Sequence, residues 1–224
     1  RDIWVSGYQD DYDLARLIVA GEHVKLPFDG PAVLFSPSHS ICLVTNKPDA
    51  DTLTRMIGIG EQLAESHRAF SQFLWAMTGD HRWDRWMPAA NDEGAKAAEL
   101  QAARELLSQY TDQKDILDGQ LEARDEDSFV ASLSIYDRPE GLRSFCTYTL
   151  NLPSYLPQAD QVAIVDPDGS EDTALLGTLP WDRFVSLLGD SLRPMPQWLP
   201  ARFDLTSRLS GSVESELRKH AEPM

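Results

Sequence analysis

Two stretches of this chain repeat one phrase, and together they decide the fold. The phrase PAVLFSP occupies Pro31–Pro37, and its counterpart QVAIVDP occupies Gln161–Pro167; a Leu-Pro dipeptide precedes each of them. Each run is typical of a short buried strand that ends in a proline turn. A helical pattern follows each run, near Asp51 and near Pro180. The repeat predicts an α+β protein with two related strand-turn-helix lobes.

The first copy extends into a predicted hairpin. Apolar runs at Ala32–Phe35 and Ile41–Thr45 predict two strands, and the turn-forming residues Ser36–Ser40 connect them. A third strand is predicted at His23–Pro27, and a helix is predicted at Asp13–Ala20. The first lobe is therefore expected to combine a small sheet with helices.

The helix that follows the first hairpin contains two glycines. Leu53, Met56 and Ile57 recur at the three- and four-residue spacing of an amphipathic helix. Glycine inside a helix costs roughly 1 kcal/mol relative to alanine. Gly58 and Gly60 therefore predict close packing of another element against this helix.

The longest regular pattern predicts one helix over Glu93–Glu122, or two helices bent near Asp118-Gly119. Apolar residues recur at steps of three, four and seven, and the predicted stripe includes Tyr110 and Lys114. Residues 91–128 carry 11 acidic and 4 basic residues. The apolar stripe must then be narrow, with most of the helix surface in solvent.

The second half of the chain is rich in predicted strands. Alternating apolar residues predict a half-buried strand over Phe129–Tyr136 that returns as Arg143–Leu150 in an antiparallel hairpin. A second strand pair is predicted at Gln161–Val165 and Ala174–Leu179. Proline at the start and glycine at the end then predict a helix over Pro180–Gly189.

These elements suggest four segments along the chain. We expect an N-terminal α/β lobe (1–90), a long acidic helical segment (91–128), a C-terminal β-rich α/β lobe (129–205) and a flexible polar tail (206–224). A single domain with one mixed or antiparallel sheet remains the alternative, because 224 residues are enough to bury one large core.

Part of this sequence resembles known families. The resemblance lies in the proline-turn-strand phrase Ser36–Thr45, in Tyr110 and Gln113 followed by Phe129–Ala131, and in Leu156–Asp160. These patterns are similar to those of bacterial domain-of-unknown-function families of conserved cytoplasmic proteins. The resemblance implies a similar style of fold and a cytoplasmic location, and it brings no assigned chemistry.

The net charge of −16 is the strongest global property of the chain. Direct nucleic-acid binding requires clustered Lys and Arg, so we do not expect it. No apolar run approaches the roughly 18 residues that a membrane-spanning helix needs, and no membrane association is expected. Solubility alone accounts for the charge, while attraction of a basic protein partner stays open as a second role.

The two cysteines and the first residues bear on the compartment. Cys42 and Cys146 are far apart in sequence, and two buried reduced thiols in a cytoplasmic protein explain them best. A disulfide between the two halves stays open. The first residues lack the pattern of a signal peptide, and a start at Arg1 rather than Met suggests a processed or trimmed chain.

The segment His81–Met87, which contains Arg82, Trp83, Arg85 and Trp86, is the strongest candidate for a binding surface. Trp and Arg dominate interface hot spots because they combine large contact area with directional bonds. A three-residue step would place Trp83 and Trp86 on one helix face. Core packing of both tryptophans remains the simpler interpretation, since Trp is highly buried on average.

The acidic run Asp125-Glu126-Asp127 is a second candidate. It offers carboxylates to a basic partner or to a divalent cation, although a solvated junction between a helix and a strand also explains it.

Signatures of catalysis or of cofactor binding are missing from the sequence. The five histidines include no pair at metal-ligand spacing, and no glycine-rich phosphate loop is present. Asp166-Pro167-Asp168-Gly169 begins like a calcium loop, but its glycine is misplaced and a turn explains it. We therefore expect no cofactor and no metal.

The function that the sequence favours is noncatalytic protein–protein interaction or regulation through an acidic surface. A homodimer is compatible with this hypothesis. Two alternatives stay open: an enzyme of unrecognised type with a site between the lobes near His39 and Asp166, and an acidic mimic of nucleic acid.

Overall fold

The structure, a computed structural model, describes residues 2–8, 10, 12–19, 31–64, 70–78, 82–89, 93–138, 141–170 and 174–222. The chain forms two compact units, Arg1–Glu105 and Leu106–Met224. The division therefore falls inside the long helix, and not at either of its expected ends. Among the described residues, no helix combines the length and the apolar character that crossing a membrane requires.

The first unit contains an antiparallel sheet and its helices, and α3 begins in this unit. The described elements are β1 (Trp4–Val5), α1 (Asp13–Val19), β2 (Val33–Ser38), β3 (Ile41–Thr45), α2 (Ala50–Ala64), β4 (Leu74–Met77), β5 (Trp83–Trp86) and α3 (Glu93–Arg124). The strands are ordered β1-β3-β2-β4-β5, and all neighbours are antiparallel. The helix predicted at Asp13–Ala20 is confirmed over Asp13–Val19, while Ala20 and the predicted strand at His23–Pro27 lie outside the described residues.

The core of the first unit lies on both faces of its sheet. Every residue of β2 and β3 is buried, which explains why these strands read as continuous apolar runs. On one face Phe35 and Leu43 pack with Met56 of α2, and on the other Leu34 packs with Leu14 of α1. Side chains alternate between the faces of a strand, so a single run supplies both cores.

One of the two glycines in α2 marks a close contact. A Cβ atom on Gly60 would lie 2.5 Å from Cε1 of Phe35, so the helix approaches the sheet only because this position has no side chain. At Gly58 no heavy atom of the described residues lies within 4 Å of such a Cβ. The prediction of close packing is confirmed at Gly60 and wrong at Gly58.

The hairpin between β2 and β3 is tighter than predicted. β2 continues to Ser38 through a register irregularity, so the turn is His39-Ser40 and not the whole of Ser36–Ser40. Ser36 is buried, and its Oγ lies 2.9 Å from the Ile41 carbonyl oxygen. A buried hydroxyl with a backbone acceptor can remain inside a strand, which a composition-based turn prediction does not capture.

The second unit contains two four-stranded sheets. Its described elements after α3 are β6 (Phe129–Val130), β7 (Ser134–Arg138), β8 (Gly141–Thr149), β9 (Ser154–Pro157), β10 (Gln161–Val165), β11 (Leu175–Pro180), α4 (Trp181–Leu188), β12 (Arg193–Met195), β13 (Arg202–Leu205) and α5 (Gly211–His220). One sheet is ordered β11-β10-β8-β7 and the other β12-β13-β9-β6. Each combines antiparallel pairs with one parallel pair, β8 with β10 and β6 with β9. The α+β class is thus confirmed.

The strand predicted over Phe129–Tyr136 is two strands in different sheets. β6 pairs with β9, and the Ala131 amide still donates to the Tyr155 carbonyl at 3.0 Å. Only from Ser134 does the chain pair with β8 in the predicted antiparallel hairpin. In β6 Val130 is buried and Phe129 is exposed, whereas every residue of β7 is half-buried or exposed, so the alternation in the sequence does not mark the change of sheet.

Helix α3 is continuous through Gly119, which confirms one long helix and not two bent ones. Its buried stripe differs from the predicted one at Leu100, which is 43% exposed, and at Lys114. Gln113 is buried, whereas Lys114 is half-exposed and its Nζ lies 2.7 Å from Oδ2 of Asp118. The side-chain amide of Gln113 is buried because it accepts a hydrogen bond from Arg202 of β13, as described below.

The end of the chain, where the sequence predicts a flexible tail, forms a helix that packs on the second unit. α5 begins with Ser210, whose Oγ accepts from the Val213 amide, and Leu217 on this helix is 0% exposed. Beyond the helix, Glu222 exchanges two backbone hydrogen bonds with Thr178 of β11, at 2.8 and 3.0 Å. The sequence of this segment is mostly polar, so it does not predict the packing, which depends on one buried leucine and a short backbone pairing.

Candidate functional site

The segment predicted to bind through Trp83 and Trp86 is a strand and not a helix. β5 pairs with β4 in register, with Met77 opposite Trp83 and Leu74 opposite Trp86. Residues three apart on a strand point to opposite faces. Trp86 accordingly packs on the core that contains Phe35, and Trp83 packs on the core on the other face. The prediction that the two tryptophans share one face is wrong.

Four residues on the Trp83 face form a surface that we call the aromatic ladder: Phe73, Trp75, Trp83 and Arg85. Trp75 and Arg85 are directly opposite each other across the β4–β5 pair. The Arg85 guanidinium carbon lies 3.7 Å from the centroid of the Phe73 ring, and this ring meets Trp75 edge to face at 6.4 Å. All three aromatic residues are half-buried and Arg85 is exposed, so their side chains reach the surface in one connected group.

The charge of Arg85 is partly compensated within the unit. Its partial burial lowers the pKa of Arg85, and the nearby Glu105 carboxylate acts in the opposite direction. Glu105 also accepts a hydrogen bond from the backbone amide of Gln72, at 2.9 Å. The guanidinium therefore stacks on an aromatic ring, and the carboxylate of Glu105 partly offsets the effect of its burial.

Arg82 lies at the start of this hairpin strand and outside the ladder. Its side chain is exposed, and its carbonyl oxygen accepts hydrogen bonds from the amide and the hydroxyl of Thr78, at 2.8 and 3.1 Å. In the described structure Arg82 thus closes the β4–β5 hairpin through its backbone.

The acidic residues Asp125, Glu126 and Asp127 end helix α3, and all three are exposed. Asp125 adopts a left-handed conformation with φ of 55°, and the Glu126 amide donates to the Leu121 carbonyl at 3.0 Å, as in a helix C-cap. None of the three forms an ion pair with another described residue. These carboxylates therefore add to the negative end of the helix dipole, where cations are favoured.

The residues considered for catalysis, His39 and Asp166, make contacts that stabilise the fold. The His39 ring packs against Phe70 at 5.0 Å, in the first unit. Asp166 lies in the second unit, where its carboxylate pairs with Arg218, and the Gly169 amide donates to the Asp166 carbonyl in a turn. Across the described part of the chain, no three His, Cys, Asp or Glu residues are grouped so that they could hold a metal ion.

Both cysteines are free, buried thiols. Burial raises the pKa of Cys42 to about 11 and that of Cys146 to about 12. A nucleophilic cysteine needs a lowered pKa and access to solvent. Neither thiol has the properties of a nucleophile at neutral pH.

Arg202 is a buried residue that the sequence did not single out. It is 0% exposed and donates four hydrogen bonds, each of 3.1 Å, and its burial lowers the pKa of this guanidinium to about 10. The acceptors are Oε1 of Gln113 and the carbonyl oxygens of Tyr110, Ala131 and Tyr155. The signal available in the sequence was Gln113, a polar residue within the apolar stripe of α3.

The Arg202 network joins elements within the second unit and is closed to solvent. Tyr110 and Gln113 also donate to the carbonyl oxygens of Ala201 and Pro200, at 2.8 and 2.9 Å, so α3 is bonded to the chain on both sides of the arginine. The network is a stabilising core feature, whereas the aromatic ladder is accessible to a partner. Comparison of the chain with protein-family models, with curated proteins and with solved structures finds no match.

Proposed function

We propose that this protein is a noncatalytic binding protein, that its partner is a basic protein, and that the aromatic ladder is the surface of contact. The observation that carries the proposal is the stacking of the Arg85 guanidinium on Phe73 beside the half-buried ring of Trp75. This surface already binds one guanidinium from its own chain. The rings next to it are suited to further cations of the same kind.

Cation–π attraction explains the choice of ligand. An arginine or lysine over an indole ring gains about 0.5–1 kcal/mol at an exposed site and more where water is excluded. Trp75 and Trp83 are both half-buried, so their rings are held by the core while part of their surface stays accessible. Side chains held in this way lose little conformational freedom when a partner binds.

The charge of the whole chain favours the same class of partner. A net charge of −16 attracts a basic protein at long range and repels an acidic one. The C-terminal half of α3 and the three acidic residues after it contribute to this field through exposed carboxylates. These are Asp112, Asp115, Asp118, Glu122, Asp125, Glu126 and Asp127. In the proposal these groups guide the approach, and the aromatic ladder makes the contact.

The proposal is tested by titrating the protein into a fluorescein-labelled Arg-Gly repeat peptide of about eight residues and recording fluorescence anisotropy. We expect saturable binding that weakens as salt is raised, because salt screens the long-range attraction. A double variant with Trp75→Leu and Trp83→Leu keeps apolar bulk and removes both indole rings. It should bind about tenfold more weakly, as the loss of two cation–π contacts predicts.

Trp86→Leu is the matched control, since it changes the same type of residue in the same strand on the opposite face. Circular dichroism verifies that each variant is folded. Equal weakening by Trp86→Leu, or unchanged binding in the double variant, would show that the ladder is not the contact surface. Binding of an equivalent Glu-Gly peptide would contradict a basic partner.

Neutralising the acidic residues after α3 distinguishes long-range attraction of the partner from direct contact with it. A triple variant with Asp125→Asn, Glu126→Gln and Asp127→Asn should lower the association rate at low salt by several-fold and leave the dissociation rate nearly unchanged. Stopped-flow fluorescence measures both rates. A change confined to the dissociation rate would instead make these carboxylates part of the contact.

A further inference from the structure

The second unit contains a pocket of about 340 Å³ that lies apart from the aromatic ladder. It is bounded by the end of β8 at Tyr148, by the turn Asn151–Pro153, and by the segment Leu205–Leu209 between β13 and α5. Binding pockets for small molecules usually occupy roughly 300–1,000 Å³ and combine apolar walls with a few polar groups. The pocket is therefore large enough for a small ligand.

One wall of the pocket is formed by buried core residues. Tyr148 is 2% exposed, and its ring packs edge-on against Phe184 with centroids 5.8 Å apart. Leu205 and Leu209 are also buried, within the same core. A ligand that fills this side of the pocket must present an apolar surface, because burying a polar group here without a hydrogen bond would cost free energy.

The segment Thr206–Leu209 forms another wall and carries hydrogen-bond donors. Thr206 is already bonded, since its amide and hydroxyl both donate to Oδ1 of Asp204. Beyond it, the backbone amides of Ser207, Arg208 and Leu209 donate to no acceptor among the described residues. Consecutive amides of this kind present partial positive charge to an anion.

Arg208 adds a full positive charge. Its side chain is exposed at the pocket and forms no ion pair within the described part of the chain. Two carboxylates of the same region already have partners, although the charge of Glu214 also acts on Tyr148 of the pocket. Glu214 accepts from the Asn151 side-chain amide at 2.6 Å, and Asp204 pairs with Arg193 at 3.2 Å. In a chain with a net charge of −16, an arginine without a carboxylate partner is available to an external anion.

We infer that this pocket binds a small organic carboxylate with a short apolar chain or ring. The apolar part would lie against Tyr148 and Leu205, and the carboxylate would accept from Arg208 and the adjacent amides. A guanidinium matches a carboxylate through two parallel hydrogen bonds. A single cation suits a singly charged head group, which favours a carboxylate over a phosphate monoester.

Isothermal titration of the full chain with hexanoate tests the inference, with hexanamide as the neutral counterpart. For a ligand of this size we expect a dissociation constant of about 1 mM. Hexanamide should bind at least about tenfold more weakly, because it cannot form the charge-assisted pair. Arg208→Gln should weaken the binding of hexanoate by a similar factor.

Arg143→Gln is the matched control. Arg143 is an exposed arginine on β8 that does not line the pocket, so this variant has the same change in charge with the pocket intact. It should bind hexanoate like the unmodified protein. Absence of saturable binding up to about 20 mM hexanoate would overturn the inference. So would equal affinity for hexanamide, or equal weakening by the two arginine variants.

Discussion

The two copies of the repeated phrase fold alike but lie in different environments. Each forms an antiparallel hairpin with a helix packed on it, β2–β3–α2 in the first unit and β10–β11–α4 in the second. In the first copy both strands lie inside the sheet and are buried throughout. In the second copy β11 lies at the edge of its sheet and alternates in burial.

The difference shows which part of the fold is local. The phrase and the residues after it are sufficient to form the hairpin and the helix in both units. The next strand comes from elsewhere in the chain, and it is antiparallel β4 beside β2 but parallel β8 beside β10. The strand that pairs next to each hairpin is determined by long-range contacts, which a short repeated phrase does not encode.

The two units also bury polar groups differently. The first hairpin buries the hydroxyls of Ser36 and Ser38, and Oγ of Ser38 has no hydrogen-bond partner among the described residues. The second unit buries a full positive charge on Arg202 and surrounds it with four acceptors. We therefore expect the second unit to depend more on a single residue than the first unit does.

The largest effect is expected for Arg202→Met. This change removes four hydrogen bonds, although the Tyr155 carbonyl keeps its bond from the Ala131 amide, and the free energy of unfolding should fall by about 3–5 kcal/mol. Urea denaturation followed by circular dichroism measures the loss. Arg193→Met is the control, because Arg193 pairs with Asp204 at the surface, and it should cost less than about 1 kcal/mol. A similar cost for both variants would mean that burial of the arginine is unimportant.

Gly60→Ala should have the next largest effect, because it forces the first hairpin and α2 apart. The new methyl group would overlap the Phe35 ring, and overpacking of this kind costs about 1–3 kcal/mol. The melting temperature and urea midpoint should both fall. An unchanged urea midpoint would show that α2 can shift away from the sheet at no cost, and the first hairpin would then be less tightly packed than described.

The buried thiols give each unit a matched pH probe. Each thiol has a folded-state pKa above its ordinary value of 9.0, so the stability it contributes is complete below about pH 9 and is lost as the pH rises toward about 11 for Cys42 and about 12 for Cys146. Between pH 8 and pH 9.5, the unmodified protein should lose about 1 kcal/mol per thiol.

Single Cys42→Ala and Cys146→Ala variants should each lose less stability over that pH range, by the share of one thiol. Urea denaturation at the two pH values provides the comparison. Identical pH dependence in a variant and in the unmodified protein would mean that the deleted thiol is accessible to solvent in the folded state.

Gly58→Ala should have the smallest effect and the opposite sign. No described atom lies near the position of the new methyl group, so the substitution should stabilise α2 by about 0.5–1 kcal/mol through helix propensity alone. Because Gly58 lies two residues from Gly60 in the same helix, comparing the two alanine variants distinguishes the effect of helix propensity from that of packing. A loss of stability at Gly58 would place an unrecognised contact there.

Local patterns predicted much of the fold. The hairpin strands, the helix at Trp181–Leu188 and the continuous α3 follow from apolar runs, from proline and glycine at helix ends, and from helical spacing. The errors lie where tertiary contacts decide the structure. Val130 and Ile135 fit one alternating pattern but belong to different sheets, and Leu217 orders a terminus that looks polar.

The residue types in the sequence identified part of the candidate site but not its geometry. Trp83 and Arg85 were singled out because such residues dominate interfaces, yet Phe73 and Trp75 complete the ladder from a neighbouring strand. The pairing of β4 with β5 is needed to bring these residues together. The same limit applies to Arg202, whose partners are separated from it by 47 to 92 positions.

The pairing of Glu222 with Thr178 has a consequence for solubility. Exposed edge strands are where sheets of different molecules join and aggregate. The segment after α5 covers part of the β11 edge, and Gly177, with φ of 145°, leaves space for the Glu222 backbone. These two backbone hydrogen bonds therefore occupy part of the edge that a strand of another molecule would otherwise pair with. A chain shortened before Ala221 would keep its core and expose a template for aggregation.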